Sequence, residues 1–501
     1  MAEINIEKNS DYTSHLTRWT KVRAIINGEP TLKAIDLANV GVTGVAGSAT
    51  GVSFLRPINP TNTSDYNRQR NINMINGARL YNTTVKTHSG LMGMLYRKPP
   101  IQAELPDSIA YIYDNVDGSG LSMAQQSRSV SSDVVTIGRD GLLVDMPRND
   151  EGFQITQADV NDGFRASIQE YKAESIIDWH ESVVNNVKAL VLLVLCEQVE
   201  VFIVGSVNSR EVKDRYKVYR LTDEGVTVQV FTEKTGKNKG LDESEQVPVL
   251  GSNNSKLTKI PFNFVGSKNN QSCVDSLPLE PIALVNIGHY QESANLASSS
   301  FQLSACQPWV ASNTFAKTAE IKAKAGGSVE LGEDSLIIVE AGGSFNYASP
   351  PPNPLSKEIQ TGYRDQMLEL GAQIITPNGG VETAEAAKLK HASNVSDLGV
   401  ISENVSDAYT ESIKAVCFFM GVEYKKEYTF RLNNEFFDMS LSADDAVKWV
   451  SVWQGGAYSK AELDAILVKG KAIGADVDLD KMNDAISEEQ GLSVDFDEGE
   501  A

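Results

Sequence analysis

A chain of 501 residues is too long for one ordinary hydrophobic core, so two to four structural units are expected. Its 41% hydrophobic and 22% charged residues exclude wholesale disorder. A balance of 45 Lys and Arg against 66 Asp and Glu gives a formal charge of −21. That charge excludes bulk attraction to phosphates, so any contact with DNA must be local or weak.

In chain order, "MAEINIEKNSDYTSHLTRW" has no apolar core segment and does not read as a signal peptide. "GVTGVAGSATG" (Gly41–Gly51) is glycine-rich, but no Gly-Lys-Ser/Thr follows it, and it reads as a surface loop. Ser64 to Tyr96 carries apolar residues at helical spacing (Ile72, Ile75, Ala78, Leu80, Val85) and ends at Pro99–Pro100. "VVTIGRDGLLVDMP" (Val134–Pro147) reads as strand, turn, strand, with Gly138-Arg139-Asp140-Gly141 as the turn. The apolar run Val187–Gly205 is interrupted by Glu197, Gln198 and Glu200, which favours two adjacent buried strands over a membrane span. The alternation of "KDRYKVYR" (Lys213–Arg220) puts its basic and aromatic residues on a solvated strand face. Residues from about Val134 to Val265 therefore form a β-rich unit.

The character changes at Leu279. Ile282, Val285, His289, Leu296 and Leu303 follow a helical repeat, giving a helix of about 25 residues and roughly 38 Å. A compact segment, Pro308–Pro352, follows, with turns at Gly326-Gly327 and Gly342-Gly343, a strand in "SLIIVEA", and the stiff exit "SPPPNP". Leu355–Ile375 is helical again. Pro377, Gly379 and Gly380 then interrupt the pattern before a third helical stretch over Glu382–Met420. Residues 441–490 read as helical with a break at Gly455–Gly456, and the last dozen are acidic. No internal repeat is found.

Chemistry-bearing motifs are scarce. The histidines at 15, 88, 180, 289 and 391 have no metal spacing, and "HESVV" at His180 has Val184 where a zinc-protease helix needs its second histidine. Neither a GxSxG elbow nor a GxxxxGK[ST] loop occurs. "ADVDLDKMND" (Ala475–Asp484) has the alternating aspartates of a calcium loop, but Lys481 stands at its glycine and Ser487 at its glutamate. It reads as a solvated acidic face. His289, among apolar positions, reads as a packed or interfacial residue. Cys196, Cys273, Cys306 and Cys417 are far apart, which favours free thiols in a reducing compartment. No catalytic residue, cofactor or metal is assigned, and the chain is expected not to be an enzyme. A hydrolase assembled from dispersed residues is the alternative from another class.

Several stretches resemble the portal proteins of tailed bacteriophages, specifically a portal-like group long catalogued as a domain of unknown function. They are "ARLYNTTVKTHSGLMGMLYRKPP" (Ala78–Pro100), "GRDGLLVDMP" (Gly138–Pro147), "YKAESIIDW" (Tyr171–Trp179) and "IPFNFVGSKNN" (Ile260–Asn270). They continue in "PLEPIALVNIGHYQESANLASSS" (Pro278–Ser300), "MLELGAQIITPNGGVETAEAAK" (Met367–Lys388) and "LSADDAVKWVSVWQGGAYSKAEL" (Leu441–Leu463). The first sixty residues and the acidic C-terminus are not covered.

This resemblance implies an α+β portal fold assembled in a ring, usually of twelve subunits, at one capsid vertex. It divides the chain into an N-terminal region and β-rich wing (1–278), stem helix 1 (279–307), a small α/β clip (308–354) and stem helix 2 (355–375). A tunnel loop (376–382), a long helix with a wing return (383–440) and a helical crown with acidic tail (441–501) complete it. The implied tunnel loop contains Thr376, Pro377, Asn378, Gly379, Gly380 and Val381, with an ordinary surface turn between packed helices as the alternative; Trp309 and Phe345 are candidates for packing between neighbouring clips, with burial within one clip as the alternative. Implied partners are further copies of the chain, viral double-stranded DNA passing through the channel, the terminase large subunit, major capsid and scaffolding proteins, and a tail adaptor. The implied location is the portal vertex of the virion, after assembly in the host cytoplasm. A shorter head–tail connector ring protein is the alternative among virion proteins.

Overall fold

The computed structural model describes residues 6–42, 51–147, 164–184, 186–202, 208–234, 240–304, 307–324, 340–348, 354–375, 384–434, 436, 443–457, 459–469 and 481–482. The fold is α+β. It divides into two compact units, Met1–Asn434 and Glu435–Ala501. No described helix is long and apolar enough to cross a membrane.

The first unit opens with α1 (Ser10–Asn27) and α2 (Glu29–Asn39). Asn9 accepts from the Asp11 amide to start α1, and Gly28, at φ 91°, separates the two helices. Helical spacing over Ser64–Tyr96 resolves into α3 (Asp65–Gly77) and α4 (Thr83–Leu95), capped by Ser64 and Asn82. Strand β1 (Ile101–Gln102), the short α5 (Asp107–Ala110) and α6 (Met123–Ile137) follow.

Helix α6 corrects one expectation. Val134–Ile137 is the end of a helix, not a strand. Ser122 and Gln125 form a reciprocal capping box at its start, and Gly138 stops it in the left-handed region at φ 78°. Val130, Val134 and Val135 are fully buried, so core packing overrides their local β preference. The expected turn residues Arg139 and Asp140 instead begin β2 (Arg139–Asp145), and both are buried.

Strand β2 is the centre of a three-stranded antiparallel sheet, flanked by β3 (Ser167–Lys172) and, from later in the chain, β10 (Phe262–Gly266). The larger sheet is an antiparallel meander of β4 (Ile176–Val184), β5 (Val187–Phe202), β6 (Arg210–Thr222), β7 (Gly225–Glu233) and β8 (Leu241–Glu243). Strand β9 (Val247–Pro248) also pairs with β7.

Here β5 is one strand of 16 residues, where two buried strands were expected, and only Leu193, Val194 and Leu195 of it are buried. Its acidic residues do not break it because β6 lies opposite with matching charge: Glu197 faces Arg215 and accepts from it and from Lys217. The same register corrects the solvated reading of Lys213–Arg220. Lys213, Val218 and Tyr219 are buried, and Arg215 and Lys217 are already neutralised.

Beyond the sheets come α7 (Glu280–Ser304), β11 (Gln307–Ala311), α8 (Asn313–Lys324), β12 (Ser344–Ala348), α9 (Leu355–Ile375) and α10 (Ala384–Met420). A short β13 (Phe430–Arg431) pairs with β1. At 37 residues, α10 is about 55 Å long. It buries Val405, Tyr409 and Ile413, and Asn263 of β10 donates to its Ser412.

The N-terminal helices were not resolved by the sequence reading. Ile25, Leu32, Ile35, Phe54 and Ile75 form one apolar cluster with Ile287, Tyr290 and Ala294 of α7. The first helices thereby build the socket from which α7 emerges.

The second unit contains α11 (Ala443–Gln454) and α12 (Lys460–Lys469), interrupted at Gly455-Gly456 as expected. Ser459 and Glu462 exchange hydrogen bonds at the start of α12, a second capping box.

Candidate functional site

The candidate site is a helical hairpin, α7 and α9, and the insert that joins them. The two helices run antiparallel: Ile282 of α7 meets Gly371 of α9, and Gly288 meets Tyr363. Small residues make this approach possible. A Cβ at Gly288 would stand 2.9 Å from Cζ of the Tyr363 ring, and one at Gly371 would stand 3.0 Å from Oγ1 of Thr87 and 3.4 Å from Ile282. Met367, fully buried, fills the same seam.

Polar anchors fix the base of α7. Arg18 donates to the Glu280 carboxylate through Nε and Nη2, and that contact holds Glu280 below the usual carboxylate range. The acid also suits the positive end of the helix dipole. Asn286, fully buried, accepts from the amide and the hydroxyl of Thr84, at 3.3 and 3.0 Å, and donates to the Tyr81 carbonyl at 2.9 Å. Ser293 accepts from the Arg79 amide, and Gln291 donates to the Phe54 carbonyl. His289 is buried beside Tyr81, with ring centroids 5.9 Å apart. Burial first, and Arg364 second, hold its pKa below the ordinary histidine value. It is a packed histidine, as expected.

The hairpin's surface carries little positive charge. Helix α7 contains neither Lys nor Arg, and α9 contains only Lys357 and Arg364 against Glu358, Asp365 and Glu369. Arg364 is already paired with Asp365 at 3.3 Å. Leu284, Leu355, Ile359 and Leu368 stand exposed on the two helices.

Strands β11 and β12 form an antiparallel ribbon that closes the insert on itself. Glu340 accepts from the Ser312 hydroxyl and the Asn313 amide, at 3.0 and 2.7 Å, and so ties the return strand to the start of α8. The register pairs Trp309 with Asn346 and Val310 with Phe345. Directly opposed residues share a face and successive residues alternate, so Trp309 and Phe345 lie on opposite faces of the ribbon. They are 44% and 36% exposed. The two candidates are therefore not brought together within one subunit; they stand on opposite faces of the ribbon.

Thr376, Pro377, Asn378, Gly379, Gly380 and Val381 lie outside the described residues, as do most of "SLIIVEA" and of the acidic stretch 475–484. The loop's flanks are described: α9 ends at Ile375 and α10 starts at Ala384. Sequence reasoning missed the Gly288–Tyr363 contact and the Asn286 anchor. The available signal was a glycine and an asparagine in the interior of a helix, where both are unfavourable unless packing or hydrogen bonding repays them.

A family described as a domain of unknown function (DUF4055) matches residues 278–420, just under a third of the chain. Those bounds run from the residues before α7 to the end of α10. Among proteins of curated function, none matches. Solved structures similar to the chain include three from gene transfer agent particles. A chain in the neck of an empty particle, determined with C6 symmetry, has a TM-score of 0.36 and 10% identity, covering 77% of this chain and 89% of that one. One in the native virion has a TM-score of 0.37 and 9% identity, covering 79% and 92%. One in the native neck, determined with C12 symmetry, has a TM-score of 0.37 and 9% identity, covering 77% and 89%.

Proposed function

We propose that this chain is the subunit of a phage-type portal ring, a channel for DNA at one vertex of a capsid. The observation that carries this reading is the unit spanned by the family match. An antiparallel helical hairpin bears a small α/β insert at one end, and a 37-residue helix follows it. In the portal-like proteins that the sequence resembles, this order corresponds to stem, clip, stem, tunnel loop and long helix.

The chemistry of the hairpin supports a conduit over a binding site. DNA presents one negative charge per about 1.7 Å of axis, and affinity for it comes from Lys and Arg that displace counterions. The hairpin offers two basic residues against five acidic ones, and each subunit carries −21 overall. A wall of this composition lets DNA slide. Thr376–Val381, with no Lys or Arg before Lys388, forms a weakly interacting collar at the narrowest point.

The insert is the docking surface for the terminase large subunit and later for a tail adaptor. Its two aromatic faces suit a ring, because each ribbon then meets one neighbour with Trp309 and the other with Phe345. The β-rich body is the wing, the residues after 440 supply the crown, and capsid and scaffolding proteins contact the outside of the ring. The protein belongs at the virion's portal vertex and acts without catalysis. Size-exclusion chromatography with light scattering tests this reading: it predicts a species of about twelve chains, and monomers or dimers under every condition would remove it.

A further inference from the structure

Three carboxylates from separate elements converge beneath the small sheet. They are Asp133 of α6, Asp140 of β2 and Glu170 of β3, and one oxygen of each lies within 4.8 Å of the others. The strand register explains the convergence. Asp140 pairs with Lys172 and Leu142 with Glu170, so Asp140 and Glu170 share one sheet face. Asp133 and Asp140 are 6% and 0% exposed.

Counting partners leaves the site short of positive charge. Asp133 accepts from Arg23 Nη1 and Nη2, at 2.9 and 3.1 Å, with Lys172 Nζ at 3.9 Å. Arg23 is shared with Glu174. Glu170 accepts from Ser129 Oγ at 2.8 Å, and Asp140 Oδ1 from the Gly141 amide at 2.6 Å. Among the described residues, Asp140 Oδ2 is buried with no hydrogen-bond partner. Four carboxylates thus face one guanidinium and one ammonium, a deficit of two charges around an orphaned oxygen. Burying an ionised carboxylate without a partner is costly.

We propose that Asp133, Asp140 and Glu170 bind one divalent cation of the oxygen-preferring class, such as Mn²⁺, Mg²⁺ or Ca²⁺, with Asp140 Oδ2 as its most buried ligand. The all-oxygen donor set suits these hard cations and lacks the nitrogen and sulfur ligands typical of zinc and copper sites. A charge of +2 matches the deficit, and the ion joins α6 to β2 and β3. In its absence, burial first and the neighbouring Glu170 and Asp133 second push the Asp140 carboxyl well above its usual range. A bound cation reverses that preference. The site escapes sequence motifs because its ligands are distributed over a helix and two strands, with no local spacing.

The test uses the full chain, stripped with chelator and titrated with Mn²⁺ alone, with free Mn²⁺ read by electron paramagnetic resonance. One tightly held Mn²⁺ per chain is expected, together with a rise in Tm that chelator reverses. Glu170→Gln, at a half-buried position, should weaken that binding roughly tenfold or more. Asp140→Asn should abolish the Tm response to Mn²⁺. Failure to retain Mn²⁺, or retention that is equal in wild type and both variants and so arises at other acidic sites, overturns the proposal.

Discussion

The ring of Tyr363 lies against the backbone of Gly288, so closely that a Cβ at position 288 would stand 2.9 Å from Cζ. The hairpin is therefore fitted at this level by the absence of a side chain on one helix and an aromatic ring on the other. Gly288→Val should destabilise the fold by roughly 1–3 kcal/mol through overpacking. Tyr363→Ala in the same chain should recover part of that loss, because the added methyls then have room. A double-mutant cycle in denaturant should give a coupling of about 0.5 kcal/mol or more, and simple additivity would show that the helices do not meet there.

A second prediction concerns Asp36, which is 2% exposed and accepts from the Phe54 and Leu55 amides, at 2.8 and 3.2 Å, and from Ser53. Burial pushes its pKa up to about 6 from 3.8, outweighing those hydrogen bonds. The folded chain then binds this proton more tightly than the unfolded chain. Its contribution to stability is greatest below about pH 4 and falls as pH rises to about 6, by on the order of 3 kcal/mol. Asp36→Asn removes the titration but turns an NH₂ group toward an amide that needs an acceptor. The stability advantage of wild type over the variant should therefore shrink between pH 4 and pH 6. A pH-independent difference in Tm would contradict the assignment.

The long helices of the hairpin were legible in the sequence, and the buried polar chemistry was not. Helix α9 begins and ends at the residues the periodicity indicates, because Pro354 and the Thr376-Pro377 pair bracket it. Helix α7 is equally legible from its apolar spacing. In contrast, Gly138-Arg139-Asp140-Gly141 has the composition of a turn. In the fold, Arg139 lies between the faces of Trp179 and Phe264, at 4.2 and 4.4 Å, and donates to the Ser272 carbonyl. Those partners are 40 to 133 positions away, and no local window contains them. The charged stretch Lys213–Arg220 misleads for the same reason: its neutralising partner, Glu197, is on another strand.

A third prediction follows from the ribbon of the insert. Trp309 and Phe345 are exposed on opposite faces, so Trp309→Ala and Phe345→Ala should each change the Tm of the isolated chain by little, about 0.5 kcal/mol or less in stability. Each should lower the yield of rings or their capture of terminase. The double variant should be no worse than either single one for a contact in which the two rings meet across subunits. Rings that form and package normally in all three variants would remove these residues from the interface.

The proposed tunnel loop gives a fourth. Gly379→Val with Gly380→Val replaces two glycines, a residue type for which left-handed and extended backbone cost little, by a β-branched residue that is more restricted. Ring assembly should be unchanged while packaging or retention of DNA falls, measured as nuclease-protected DNA per particle. Equal protection would exclude a role for the collar, and loss of rings would reassign the segment to subunit packing.

The most direct measurement is an end-on electron-microscopic view of the purified chain. The portal reading predicts closed rings with an open axial channel and about twelve subunits, each contributing its α7–α9 hairpin to the channel wall and residues 376–381 to the narrowest point. Particles without a closed ring, or rings whose channel is lined by other elements while residues 376–381 lie on the outer surface, would contradict it.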